Sequence, residues 1–173
     1  MIRPDRHSRA RSLLIVAATA TAITLSSGCA DDSTPTPVTS SRQAEVAERG
    51  ASVMPFDLER TTHQFTKSGS GGVQTVTADD PQDGNQVALI QQHLHEESSR
   101  FRRGDFTDPA AIHGNQMPGL QALRAHGGRI TIDYEATPGG GRVTYTTSDT
   151  ELRNALHHWF DAQVGDHGEH ATR

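Results

Sequence analysis

Residues 129–149 read "RITIDYEATPGGGRVTYTTSD". Ile130, Ile132 and Tyr134 alternate with polar residues, and Val143 and Tyr145 do the same beyond a glycine cluster. Period-two alternation on both sides of such a turn specifies a hairpin with one apolar face. Residues 62–81, "THQFTKSGSGGVQTVTADDP", repeat the pattern around a Gly/Ser turn. Each hairpin runs directly into a stretch of helical periodicity. Val87, Ile90, Leu94 and Phe101 form one apolar stripe, and Leu152, Leu156, Trp159, Phe160 and Gln163 form the other. Asp80 followed by Pro81 predicts the N-cap of the first helix, and Ser148 with Glu151 predicts a capping box for the second. Residues 104–128 link the units, with Asp-Pro and Met-Pro-Gly breaks around one or two short helices. Two ββα units predict an α+β, two-layer domain: a four-stranded antiparallel sheet with two main helices on one face. Both glycine runs lie between strands, where a phosphate loop would need a strand feeding into a helix N-terminus.

The N-terminal residues set the expected location. Arg3, Arg6, Arg9 and Arg11 precede the apolar run of residues 13–25. That run falls short of the roughly 20 residues needed to cross a bilayer as a helix. A basic start, a short apolar core and small residues after it have the layout of an export signal. "LSSGC", ending at Cys29, resembles a bacterial lipobox, with Ser26 where an aliphatic residue is usual. The resemblance implies that residues 1–28 are removed and that lipid on Cys29 (palmitate among its chains) holds the chain at the extracytoplasmic face of the cell membrane. Residues 29–56 contain few apolar side chains and read as a flexible tether, residues 57–166 as one domain and residues 167–173 as a flexible tail.

Cys29 is the only cysteine, so disulfides and thiolate chemistry are excluded from a lipidated chain. Loss of residues 1–28 would take the formal charge from −5 to −8, because four Arg and one Asp go with them. Such a domain is a poor partner for nucleic acid and a reasonable one for cations.

Nine of the ten histidines follow Cys29, and "NALHHWFDAQVGDHGEH" at 154–170 holds four of them with three acids. His93 and His95 are two apart on a helix and cannot share one ion, whereas His93 and Glu97 are neighbours one turn apart. Aligning Leu94 with Leu156 across the repeat places His95 opposite His157, with Asp161 one turn on and His167 and His170 in the tail. Imidazole and carboxylate without thiolate suit Zn or Cu, with Met117 a softer ligand for copper. The competing expectation is a module that docks another envelope protein through the exposed sheet face. No HExxH, nucleophile elbow, Rossmann or Walker pattern occurs. The paired carboxylates are expected to cap a helix (Asp79 and Asp80) or to face outward (Glu96 and Glu97), which favours a non-enzyme and leaves hydrolytic or lyase chemistry at His113, His95 or His157 as the remote alternative.

From "RTTHQFTKSGSGGVQTVTADDP" through "GDFTDPAAIHGNQMPGLQALRAHGGRITIDYE" to "LHHWFDAQVGDHG", the chain resembles a family of His-rich actinobacterial lipoproteins. Some of its members carry the label aspartate carbamoyltransferase. The Ser-Thr-Arg-Thr phosphate loop and His-Pro-x-Gln segment of true carbamoyltransferases do not occur here. The resemblance therefore implies an envelope location and brings no catalytic residues with it.

Overall fold

The computed structural model describes residues 38–173. The signal segment, Cys29 and the first part of the expected tether lie outside the described residues. Helix α1 (Val38–Val53) comes first, then the hairpin of β1 (Thr61–Ser68) and β2 (Gly71–Ala78), then α2 (Gly84–Phe101). Short helices α3 (Thr107–His113) and α4 (Leu120–His126) form the link. The second hairpin, β3 (Thr131–Thr137) and β4 (Gly140–Thr146), leads into α5 (Thr150–His167) and the two-residue strand β5 (Ala171–Thr172).

The four long strands pair antiparallel, with β2 against β4 at the centre, in the order β3-β4-β2-β1-β5. The expected four-stranded antiparallel sheet is thus extended to a five-stranded mixed one, because β5 adds in parallel beside β1. The two helices cross over to each other's hairpin: α2 packs mainly on β3 and β4, and α5 on β1 and β2. Val87, Ile90, Leu94 and Phe101 are all buried as the periodicity required, and so are Leu152, Leu156, Trp159, Phe160 and Gln163.

Glycines make the close packing possible. A Cβ on Gly71 would lie 2.0 Å from the Tyr145 carbonyl oxygen, and one on Gly140 would lie 2.1 Å from that of Val76. Each hairpin thus opens its inner strand with a residue that the other hairpin's backbone overlies. The next residues face the helices: Gly72 lies under Phe160, and Gly141 under Leu94. The repeat therefore equates Leu94 with Phe160, and the alignment with Leu156 is wrong by one helical turn.

The caps explain that offset. The first helix is capped by Asp83, whose side chain accepts from the Gln86 amide, and Asp80 instead closes a turn by accepting from Gln82. The second is capped by Asp149, which accepts from Glu151 and Leu152, so Ser148 is not the cap. Both aspartates start helices of 18 residues, and the two helices are in step from their caps onward.

Two expectations about the ends are corrected. Residues 38–53 of the expected tether form α1, with Val46 1% exposed and Phe56, just beyond, also in the core. Arginine side chains also fasten α1 to the rest of the domain. Arg42 donates to the His113 carbonyl at 2.7 Å and Arg49 to that of Ile112 at 3.5 Å, both at the open end of α3. The expected flexible tail is ordered, since Ala171 is buried and pairs with His63.

Candidate functional site

Alternation along β1 turns Thr61, His63 and Phe65 inward. His63 therefore enters the core beside α5, where its ring stacks on His167 with centroids 5.0 Å apart. His167 ends α5 and also meets His113, the last residue of α3, edge-on at 5.1 Å. Three histidines far apart in sequence thus converge at one point between β1, α3 and α5. His93 stands close by, its ring against Phe56 at 5.6 Å.

Behind the cluster lies a cavity of about 30 Å³ bounded by His63, His93, Glu97, His113, Gln163 and His167. Three atoms on its lining residues, Nε2 of His63, Nε1 of Trp159 and Oε1 of Gln163, are buried without a hydrogen-bond partner. Orphaned polar atoms are rare in folded interiors and cost about 1–3 kcal/mol each. In front of His63 and His167 is a pocket of about 350 Å³, walled by α1 residues Gln43, Ala44, Val46 and Ala47 and by Glu59, Glu169 and His170. The His63–His167 stack therefore separates an outer pocket from an inner cavity.

Burial decides the charge state of these rings. Desolvation, reinforced by His93, His113 and His170, pushes His63 down to about 4. Desolvation also carries His167 well below the ordinary histidine range, and it lowers His93. Neutral imidazole, with a lone pair free on one nitrogen, is the form that binds metal ions. His113 is anchored differently. Its Nδ1 lies 2.8 Å from Asp166, which also accepts from Arg42 at 3.0 and 2.7 Å. Burial works to raise Asp166, but the hydrogen bonds from His113 and Arg42 win and hold it at about 2. A firmly ionised carboxylate on Nδ1 fixes the His113 ring and directs its Nε2 elsewhere.

Glu97 overturns the expectation of an outward-facing acid. It is 5% exposed on the cavity wall, and desolvation together with the negative charge of Asp108 raises it to about 8. Arg100, 3.2 Å away, opposes that shift but is itself shared with Asp105 and Asp108. Glu97 is consequently a neutral carboxylic acid at pH 7.

The sequence-derived ligands separate into two groups. His95 is exposed against Tyr134 on the edge strand β3. His157 donates from Nε2 to the Gly71 carbonyl at 2.8 Å, so the two do not share a neighbour. Asp161 is paired with Lys67 at 2.5 Å and with Arg173 at 3.5 Å. Met117 is buried in the apolar core. By contrast, His93, Glu97 and His167 all border the inner cavity, and His170 reaches the outer pocket, 3.4 Å from Glu59. Sequence reasoning missed His63 and Asp166 as site residues and reached His113 only as a remote catalytic candidate, not as a ligand. The inward phase of β1 pointed to His63, but nothing local marked the helix-end pair.

Among the described residues, no group of three or more His, Cys, Asp or Glu side chains is arranged to hold a metal ion. Among the same residues, no helix is long and apolar enough to cross a membrane. Compared with protein families, curated proteins and solved structures, the chain has no match.

Proposed function

We propose that this domain binds a transition-metal ion of the zinc or copper class at His63, His113 and His167, and that lipid on Cys29 tethers it to the outer face of a membrane. The observation that carries the metal assignment is the His63 Nε2 atom, buried and without a partner on a cavity that His113 and His167 also bound. Three features support it. The rings that face one another are held neutral by burial. His113 has the carboxylate partner on Nδ1 that metal-bound histidines commonly have. Imidazoles on one tetrahedral ion, with metal–nitrogen distances of about 2.1 Å, have ring centres roughly 5 Å apart. The His63–His167 and His113–His167 pairs have that spacing, at 5.0 and 5.1 Å.

The rings now stack where ligands would converge. Binding therefore requires His63 and His167 to turn edge-on, so that nitrogen atoms meet at one point. That rotation is the difference between the stacked arrangement and the liganded one. Nitrogen donors without thiolate favour zinc or copper over calcium or magnesium. The test is titration of untagged protein with Co(II), a spectroscopic substitute for zinc. The assignment expects one ion per chain and visible absorption bands of a nitrogen-ligated site, both lost in His63→Ala. A featureless titration in the wild type would refute it.

A further inference from the structure

Helix α1, in a stretch that reads as tether, contributes a side chain to the proposed site. Arg42 makes three contacts at one place. Its Nε donates to Asp166 Oδ1 at 3.0 Å, and one terminal nitrogen donates to Asp166 Oδ2 and to the His113 carbonyl, each at 2.7 Å. The same Oδ2 meets His113 Nδ1 at 2.8 Å. Arg42 thus grips both the carboxylate that orients His113 and the backbone of His113 itself. A planar guanidinium suits this bidentate grip, which a lysine ammonium does not reproduce. One turn further along α1, Val46 and Ala47 wall the outer pocket in front of His63 and His167. Gln43 donates to the Gly165 carbonyl at 3.2 Å, which fastens the same turn to α5.

We infer that Arg42 is a latch on the site: a positioning residue on α1 that holds Asp166 and His113 in place, so that release of its grip weakens the hold on the ion. This rests on the metal assignment above. Arg49 bonds the Ile112 carbonyl and Glu45 but does not touch Asp166.

That contrast supplies the control. Co(II) affinity and absorption spectra are measured on the untagged protein and on Arg42→Gln, Arg42→Lys, Asp166→Asn and Arg49→Gln, with circular dichroism on each. Changes to the groups that orient a metal ligand typically weaken metal binding by about 10–100-fold. Arg42→Gln and Asp166→Asn are expected to lose affinity in that range and to shift the Co(II) bands. Arg42→Lys should recover part of the loss, and Arg49→Gln should leave affinity and spectrum unchanged. Two results overturn the latch while leaving the metal site standing: Arg42→Gln binding like the wild type, or Arg49→Gln losing as much affinity as Arg42→Gln. A wild type that takes up no stoichiometric ion overturns the site and the latch together. If Arg42→Gln fails to fold, Asp166→Asn with wild-type affinity and spectrum overturns the latch on its own.

Discussion

Glu97 on α2 and Gln163 on α5 stand at matching distances from their helix caps, and both reach the same buried cavity. The duplicated ββα unit thus brings one equivalent polar residue from each helix to the same cavity. One of them is a carboxyl group held neutral, and the other an amide whose oxygen has no partner.

Glu97 makes stability depend on pH with a defined sign. Its folded value near 8 lies above the ordinary 4.5, because burial penalises the charged form. The stability it contributes is complete below about 4.5 and is lost as pH rises through 8. In chelator-treated protein, Glu97→Gln should flatten that decline and be the more stable form at pH 8.5. Urea denaturation at pH 5.0, 7.0 and 8.5 measures this, and parallel pH profiles for the two proteins would count against a neutral Glu97.

Gly71 and Gly140 anchor the two hairpins to each other. Gly140→Ala puts a methyl group against the Val76 carbonyl, where real contacts do not come within 3.0 Å. It should destabilise by about 3 kcal/mol or more, in the range of severe backbone or packing strain. Gly128 is the control, since a Cβ added there would meet nothing within 4 Å. Thermal unfolding of Gly140→Ala and Gly128→Ala should show a large loss for the first and little change for the second.

Docking of α1 has its own signature. A flexible tether would tolerate Val46→Asp without cost. Val46 is 1% exposed, so an unpaired charge there should cost about 3 kcal/mol or more and make the 38–53 segment sensitive to proteases. Calorimetry with limited proteolysis measures both effects. An unchanged melting temperature would return α1 to the status of a linker.

The hairpins, both main helices and their buried faces are legible because each follows a simple period in the sequence. Leu94, Trp159 and Phe160 are core residues by spacing alone. Helix α1 is not legible, because Arg42 and Arg49 fasten it to carbonyl groups at the end of α3 as well as Val46 does, and arginine in a Ser/Thr-rich stretch looks like solvated surface. The caps mislead because Asp80 and Ser148 have the right chemistry, but Asp83 and Asp149 lie where the chain actually enters the helix. That difference of one turn is what pairs His95 with His157 in the sequence alignment. The site is half legible. His93, Glu97 and His167 stand out from their own segments, whereas His63, His113 and Asp166 join them only through tertiary packing of β1, α3 and α5.

His157, half-buried, and His95, exposed, separate the two ideas of where an ion binds. His157→Ala removes one hydrogen bond to Gly71 and should cost about 1 kcal/mol of stability, with no effect on ion affinity. His95→Ala should be neutral in both respects. Chemical denaturation and a zinc competition assay on the same samples read the two quantities separately.

The measurement that tests the central claim most directly is native mass spectrometry of the untagged protein with Zn(II) and Cu(II), against a competing weak chelator. One retained ion per chain is expected for the wild type and for His95→Ala/His157→Ala, and none for His63→Ala/His167→Ala. No stoichiometric ion in the wild type, or an ion that survives His63→Ala/His167→Ala, would contradict the assignment.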